Sequence, residues 1–490
     1  MAYISSFKGQ NWLIPQSIND MIPENHICFF VEEFVESLDF SGFDMINEGS
    51  GHPSYHPRIL MKILLQGMLS KERSSRRLAS ATRENFVFMY LAEKVQPNFR
   101  TLCRFRVENA KFIKEVFKET VKLASDHQLV DLSLICIDGT TIKSNTNRKK
   151  GLKREQIDKL DSIVDKMIEE DIKQDQIDKE IFSDSEENLT KIDKQNLRGI
   201  VSEYRKAKDK SKIKEKINKI KKEFDKDSNL KRASASDPEC RMMLNKKGNK
   251  EFSYNAQFSV DSKNQIIVAN DVCNEEHDAR QLKPQINQVK ENINLKEGTK
   301  IGADCGYSNG KNLKFLEDEK LDGYIPNQTQ AQRFNGKKET HNQDDYDYDT
   351  KKDEIIFLEK RFSYKGEYKL KTGERRISYY NKELKKKKDV PEFFRERLRM
   401  KAKMETEEAR KIYNKRQVIV EPPIGNIKQN LGFRGFYLRG LNNVKIELNL
   451  VSIVHNLKKI WVAKGQISYK EKKLVFCLIL SENYLSCDTA

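Results

Sequence analysis

The chain has 490 residues, 34% of them charged and 37% apolar, so it is long enough for about two to four domains and too apolar to be disordered throughout. Lys and Arg number 91 against 74 Asp and Glu, a formal net charge of +17, which points to an anionic partner such as nucleic acid or a membrane surface. Eight scattered cysteines without a Cys-x-x-Cys, and seven histidines without metalloprotease or finger spacing, exclude a disulfide framework and a zinc ribbon.

The opening "MAYISSFKGQNWLIP" lacks the basic and apolar zones of a signal peptide, and the longest apolar run, Leu474 to Leu480, is far short of a spanning helix. A soluble, cytoplasmic protein with free thiols is expected. Residues 20 to 127 read as helical. "HPRILMKILLQGML" carries Ile59, Leu60, Ile63, Leu64 and Met68 at helical spacing after Pro57, a good first-turn residue. In "SKERSSRRLASATRENFVFMYLA", Ser74 or Ser75 is the expected cap, and Leu78, Thr82, Phe86, Met89 and Tyr90 continue one face. "QPNFRTLCRFRVENAKFIKEVFKE" gives another helix, with Thr101 before a basic first turn. The short helices and the arginines 73, 76, 77, 100, 104 and 106, expected to be exposed, suit a helix-turn-helix-like DNA-binding module or a plain bundle with solvated arginines.

"LSLICIDGTTIKSNTNRKK" then reads as a short buried strand that stops at Asp138. Residues 148 to 232 change to Lys, Glu, Asp, Ile and Asn. Ile157, Leu160, Val164 and Met167 step by three and four, as do Ile213, Ile217, Ile220 and Phe224, which predicts a coiled-coil-like hairpin. Ser183 to Glu186 is a candidate capping box for a helix between them. "FSYNAQFSVD" alternates, "SKNQ" turns, and "IIVANDVC" returns as a strand. Residues 277 to 293 read as helix. "GTKIGADCGYSNG" is a strand ending in a second acid, Asp304, followed by a helix and a short strand at Gly323 to Pro326.

Residues 328 to 408 are polar, with some strand character near "GEYKLKTGERRISYY". The segment from "ERLRMKAK" to "IKQNLGF" is a long helical pattern holding Glu421. Two prolines follow that acid, so a break is expected there, with Pro422 opening a new helical segment and Glu421 near its N-terminus. Residues 441 to 462 form a last amphipathic helix through Val444, Leu448, Val451, Val454, Leu457 and Trp461. The tail segment "KLVFCLIL" reads as an edge strand or a helical turn.

Alone, Asp138-Gly139, Ala303-Asp304-Cys305-Gly306 and Glu421-Pro422 are each weak signals. In this order, on a mixed α/β core, three carboxylates can meet at one sheet edge. Hard oxygen ligands suit Mg²⁺ or Mn²⁺, and two such ions can serve phosphoryl transfer, with Asp138 on the central strand as the bridging ligand. No nucleophilic side chain is needed when water or a 3′-hydroxyl attacks.

The chain resembles an insertion-sequence transposase of the IS1182 type, within the broader IS4-like DDE group, from about residue 15 to 465. The likeness is carried in order by "YHPRILMKILLQGMLSKERSSRRL", "QPNFRTLCRFR", "IDGTTIKSNTNR", "SDPECRMMLNKKGNKEFSYNAQFSVD", "IGADCGYSNGKNL" and "YNKRQVIVEPPIGNIKQNLGFRGFYLRG". It implies a ribonuclease-H-like mixed-sheet core with helical insertions after an all-helical N-terminal domain, and Asp138, Asp304 and Glu421 as catalytic and metal-binding acids. The group's Tyr-x₂-Arg-x₃-Glu-x₆-Lys signature falls on Tyr413, Arg416, Glu421 and Lys428, except that four residues separate Arg416 from Glu421, which leaves Lys415 and Arg416 both as candidates. Lys428, about two helical turns beyond Glu421 on the same face, would hold a phosphate.

The expected division is a helical DNA-end-binding domain at 1–127, with Arg76, Arg104 and Arg106 as DNA contacts. The catalytic core comprises 128–147, 233–327 and 409–440, with an arm at 148–232, a second insertion at 328–408 and a C-terminal helix and tail at 441–490. The resemblance implies metal-dependent hydrolysis at terminal inverted repeats, strand transfer into target DNA, a homodimer in the active complex and a place at the nucleoid. The alternatives are a nuclease of the same fold that does not join strands and a catalytically inactive DNA-binding derivative.

Overall fold

A computed structural model describes residues 17–44, 54–169, 191–205, 210–245, 248–337, 346–349, 351–357, 359–371 and 373–464. The candidate capping box at Ser183 to Glu186, the apolar run at Leu474 to Leu480 and the side chain of Met167 lie outside the described residues. The chain divides into two compact units, residues 1–120 with 453–490, and residues 121–452. Among the described residues no helix is long and apolar enough to cross a membrane, and the six cysteines are free.

The first unit is helical: α1 (Ile27–Glu36), α2 (Ser41–Asp44), α3 (Pro57–Leu69), α4 (Ser75–Glu84), α5 (Phe86–Leu91), α6 (Phe99–Glu108) and the start of α7 (Ala110–Asp126). Pro57 opens α3 as expected, and Ser74 precedes α4. The face predicted to run on from Leu78 to Tyr90 is split at Asn85, whose side chain accepts from the Val87 and Phe88 amides and starts α5. Asn98, not Thr101, caps α6 by accepting from the Arg100 and Thr101 amides. Arg73 and Arg106, expected at the surface, are buried, with Arg106 directed at the Arg73 carbonyl. Arg76, Arg77, Arg100 and Arg104 are exposed, and Arg76 and Arg100 lie over the ring of Phe99.

The second unit is built on a mixed sheet. Its strands are β1 (Leu134–Lys143), β4 (Arg241–Leu244), β5 (Lys250–Asp261), β6 (Ile267–Cys273), β7 (Lys300–Ala303) and β8 (Asp322–Tyr324). The order runs β6-β5-β1-β7-β8, with β4 also paired to one end of β5. β5 is antiparallel to β1 and β6, whereas β7 is parallel to β1 and β8 to β7. β1, β6, β7 and β8 therefore run the same way, and their C-terminal ends share one edge.

The arm between β1 and β4 starts and ends at a two-strand clip, β2 (Gly151–Leu152) on β3 (Ala233–Ser234). Beyond it stand α8 (Arg154–Glu169), α9 (Lys191–Arg205) and α10 (Lys210–Lys226). The predicted seam residues Ile157, Leu160, Val164, Ile213, Ile217, Ile220 and Phe224 are all buried there in one core with Leu197, Val201 and Tyr204.

The second insertion is more ordered than its composition suggests. It forms an antiparallel sheet of β9 (Asp347–Asp349), β10 (Glu354–Phe357), β11 (Lys360–Lys369), β12 (Arg375–Asn381) and β13 (Lys386–Pro391). Ile355, Phe362, Ile377, Tyr379 and Val390 pack beneath it against Phe394 and Leu398. One face meets solvent, and its lysines dilute the alternation in sequence.

After β6 come α11 (Leu282–Asn292), then α12 (Gly310–Asp318) after β7 and α13 (Gln328–Phe334) after β8. The predicted long helix breaks at Thr406, whose hydroxyl accepts from the Ala409 amide, into α14 (Phe394–Met404) and α15 (Glu407–Gly425). α15 does not break at Glu421. It continues through Pro422 and Pro423 and passes into a π-helical turn at Asn426–Asn430. Pro422 removes the amide that would have bonded the Val418 carbonyl, and Gln265 Nε2 donates to that carbonyl at 2.8 Å instead. The last helix, α16 (Leu441–Ala463), is buried on more than its expected face, with Ile446, Leu450 and Ile453 also inside.

Candidate active site

β1 does not stop at Asp138. What stops there is its pairing with β7, whose last matched positions are Ile137 and Ala303, while pairing with β5 continues to Lys143. Asp138 is thus interior to a strand but one residue past the parallel ladder. Asp304 stands one residue past the ladder on the neighbouring strand, where it caps a 3-10 turn by accepting from the Gly306 amide at 2.8 Å. The pairing register brings the two carboxylates side by side.

Helix α15 packs across β1, β5 and β7. Arg416 is 8% exposed and its guanidinium bonds Asp138 Oδ2 at 3.1 Å. It also lies 5.7 Å from the ring of Tyr413, which is buried. Lys415 is exposed, so of the two candidate cations Arg416 is the one that meets the acids. Arg416 Nε is buried and has no partner among the described residues. Lys428 donates to the hydroxyl of Thr140, 2.5 Å away, and to the Thr141 carbonyl at 3.0 Å, two and three residues beyond Asp138 on β1. Just past the π turn, Phe436 donates its amide to the Lys143 carbonyl at 2.8 Å, tying the helix exit to the end of β1.

Glu421 is exposed and makes no hydrogen bond or ion pair among the described residues. Four intervening residues set it about 140° round the helix from Arg416, where three would have set it at about 40°. Lys428 is half-buried against β1 while Glu421 faces solvent, so the shared face expected for the two is not observed.

The Asp138 carboxyl is raised to about 6, first by burial, with Arg416 opposing the rise and Asp304 and Asp278 adding to it. Asp304 is raised for the same first reason, again with Arg416 opposing and Asp278 reinforcing. Asp278 was not singled out by the sequence, where it is one more acid ahead of a helix. It follows β6, so the common strand direction delivers it to the same edge as Asp138 and Asp304. Hard carboxylates of this kind suit Mg²⁺ or Mn²⁺ in donor chemistry, but among the described residues no group of three His, Cys, Asp or Glu side chains is placed to hold a metal ion.

Past the end of β1 a cleft of about 1140 Å³ opens between the arm and the sheet, lined by Arg148, Lys149, Lys150, Lys153 and Arg232 among others. Lys150 pairs with Glu203, and Lys153 and Arg232 pair with the buried Asp193. Arg148 and Lys149 have no ion pair among the described residues.

Residues 377–461 match the family model of a transposase DDE domain, and residues 16–108 match that of a transposase domain (DUF772). The first match spans Tyr413, Arg416, Glu421 and Lys428; the second spans α1 to α6. No curated protein and no solved structure matches the chain. Both matching models describe domains of transposases.

Proposed function

We propose that the chain is an insertion-sequence transposase of the IS1182 type that hydrolyses phosphodiester bonds at transposon ends and joins the freed 3′-hydroxyl to target DNA. The observation that carries this reading is the meeting of Asp138 and Asp304 at one sheet edge under Arg416, inside a chain with two transposase-domain matches. The strand order β6-β5-β1-β7-β8, antiparallel on one side of β1 and parallel on the other, supports a ribonuclease-H-like core.

Asp138 and Asp304 would hold Mg²⁺ or Mn²⁺, with Glu421 as the third acid of the motif and two ions in the active complex. Such ions, when bound, polarise the phosphodiester and favour an oxygen nucleophile. The chain's own residues do the rest. Arg416 neutralises Asp138 in a buried setting and keeps a spare Nε donor for an anionic oxygen. Lys428 sets a second cation beside the polar half of β1, where a phosphate would pass. The exposed Arg76 and Arg104 give the helical unit a surface for terminal repeats, which a homodimer would engage as a pair.

The test is a cleavage and strand-transfer assay on repeat-ended DNA with Mg²⁺. Nicking at the ends followed by joined products is expected, and both are lost in Asp138→Asn and Asp304→Asn. Activity that survives Asp138→Asn refutes the acid assignment. Cleavage without joined products favours the nuclease, and binding without cleavage favours the inactive derivative.

A further inference from the structure

We infer that the turn between the π-helical segment and α16 is a docking surface for an unpaired DNA strand, with Tyr437 stacking on a base and Arg434 and Arg439 holding the phosphates beside it. This rests on the transposase reading and adds to it residues that belong neither to the acids nor to the Tyr413–Lys428 signature.

The turn is built to hold one shape. Phe433 and Phe436 are buried and meet edge to face, with the ring of Tyr254 from β5 against Phe436. The Phe436 amide anchors the turn to the Lys143 carbonyl, and a Cβ at Gly435 would crowd that same oxygen at 3.2 Å. Gly440, at a φ of 85°, closes the turn in the left-handed region.

Buried acids take up its amides. Glu447 of α16, fully buried, accepts from the Tyr437 amide at 2.7 Å and the Leu438 amide at 3.3 Å. Asp237, also fully buried, accepts from the Gly440 amide at 3.0 Å and the Tyr254 hydroxyl at 2.7 Å. Glu239 accepts from the Leu441 amide at 2.7 Å. Taking two carboxylates out of water is unfavourable unless each is bonded, and here the bonds go to the backbone of the turn. The acids of "SDPEC" thus fix a segment far along the chain.

What the turn presents to solvent is an arginine, a ring and an arginine. Arg434 and Arg439 are exposed, and Tyr437 is 50% exposed while the phenylalanines of the same turn are inside. Neither arginine forms an ion pair among the described residues. Arg439 Nε donates to the Asn145 carbonyl at 2.9 Å, and Asn145 Nδ2 donates to the Tyr437 carbonyl at 2.5 Å, so both residues meet at Asn145, just past the end of β1. Three residues further on, Arg148 and Lys149 line the cleft beside the arm. An open ring between two such guanidiniums matches a ligand that offers a bare base face with a phosphate on either side. A duplex offers the phosphates but keeps its base faces covered, so the ring selects an unpaired strand.

The test is fluorescence anisotropy of the full chain with a labelled oligonucleotide, as a single strand and as a blunt duplex of the same sequence. Tyr437→Leu keeps the bulk and removes the aromatic face. It is expected to weaken single-strand binding by about tenfold and to leave duplex binding and the melting temperature unchanged, with Tyr437→Phe at the wild-type level. Arg434→Gln with Arg439→Gln is expected to weaken both forms and to flatten the single-strand salt dependence by roughly 0.7 in log–log slope for each phosphate released. An equal loss on single strand and duplex, or a loss in Tyr437→Phe as large as in Tyr437→Leu, overturns stacking and the inference with it. Wild-type single-strand affinity in Tyr437→Leu, with strand transfer intact, overturns the inference and spares the transposase reading. A selective loss in Tyr437→Leu, from a wild type that neither cuts nor joins repeat-ended DNA, upholds the inference and removes that reading. A wild type that binds neither form of DNA removes both.

Discussion

Gln265 donates to the Val418 carbonyl at 2.8 Å, the acceptor that Pro422 leaves without a partner four residues later. A side chain from the β5–β6 turn thus supplies the bond that a helix through Glu421-Pro422-Pro423 cannot make for itself. Gln265→Leu is expected to cost about 0.5–1 kcal/mol of stability. In a Pro422→Ala background, where the helix regains its own amide, the same change is expected to cost less. A double-mutant cycle by urea denaturation measures the coupling, and strict additivity would exclude it.

Arg416 holds the carboxyls of Asp138 and Asp304 down against burial. Arg416→Met takes that cation away, so both carboxyls rise and Asp138 moves further above about 6. The protonated acids are poor ligands, so the acid limb of the cleavage pH profile is expected to shift to higher pH as well as the rate to fall. A lower rate with an unmoved limb would restrict Arg416 to contacting DNA.

Gly139→Ala places a methyl group 2.4 Å from Asp278 Oδ1 and Gln257 Nε2. The side chains around it are buried and bonded, so the site cannot yield cheaply, and a loss of about 1–3 kcal/mol is expected in chemical denaturation. A neutral result would mean that the amide network is looser than its burial indicates.

In the helical unit, exposed and buried arginines predict different phenotypes. Arg76→Ala with Arg104→Ala is expected to weaken binding to terminal inverted repeats and to flatten the salt dependence, by roughly 0.9 in log–log slope for each phosphate no longer neutralised. Arg106→Ala is expected to lower the melting temperature instead, since Arg106 is buried. Unchanged DNA binding in the double variant would exclude this surface.

The cleft beside the arm provides a separate test. Arg148 and Lys149 line it without an ion pair among the described residues, whereas Lys153 and Arg232 are committed to Asp193. Replacing Arg148 and Lys149 together by alanine is expected to weaken DNA binding in filter or anisotropy assays without altering Mn²⁺ binding. Equal affinity at low and high salt would mark those two side chains as merely solvated.

Local patterning carried far into this molecule. The alternation of "FSYNAQFSVD" is β5, the steps from Ile157 and Ile213 are the buried seam of the arm, and "GADCG" is a strand that ends at its acid. What misled was information held elsewhere in the chain. Asp138 looks like a strand end because its apolar run ends there, yet β5 carries the strand five residues further, through a pairing that no local pattern encodes. The prolines after Glu421 announce a helix start, and a glutamine more than 150 residues away makes their interior place tolerable. Asp278 has the look of an ordinary helix-start acid, and only the direction of β6 brings it to the sheet edge near Asp138 and Asp304. The sheet at Asp347 to Pro391 hides because lysines fill its solvent face.

The β2–β3 clip has an architectural consequence. Gly151 and Leu152 lie against Ser234 and Ala233, so the arm leaves and rejoins the core through a single narrow stem, and it carries its own apolar interior from Leu152 to Ala235. A module hung on such a stem can be lengthened, shortened or exchanged without disturbing the strand that holds Asp138. The sheet that carries Asp138 is thereby insulated from variation in its largest attachment, and the two can diverge at different rates.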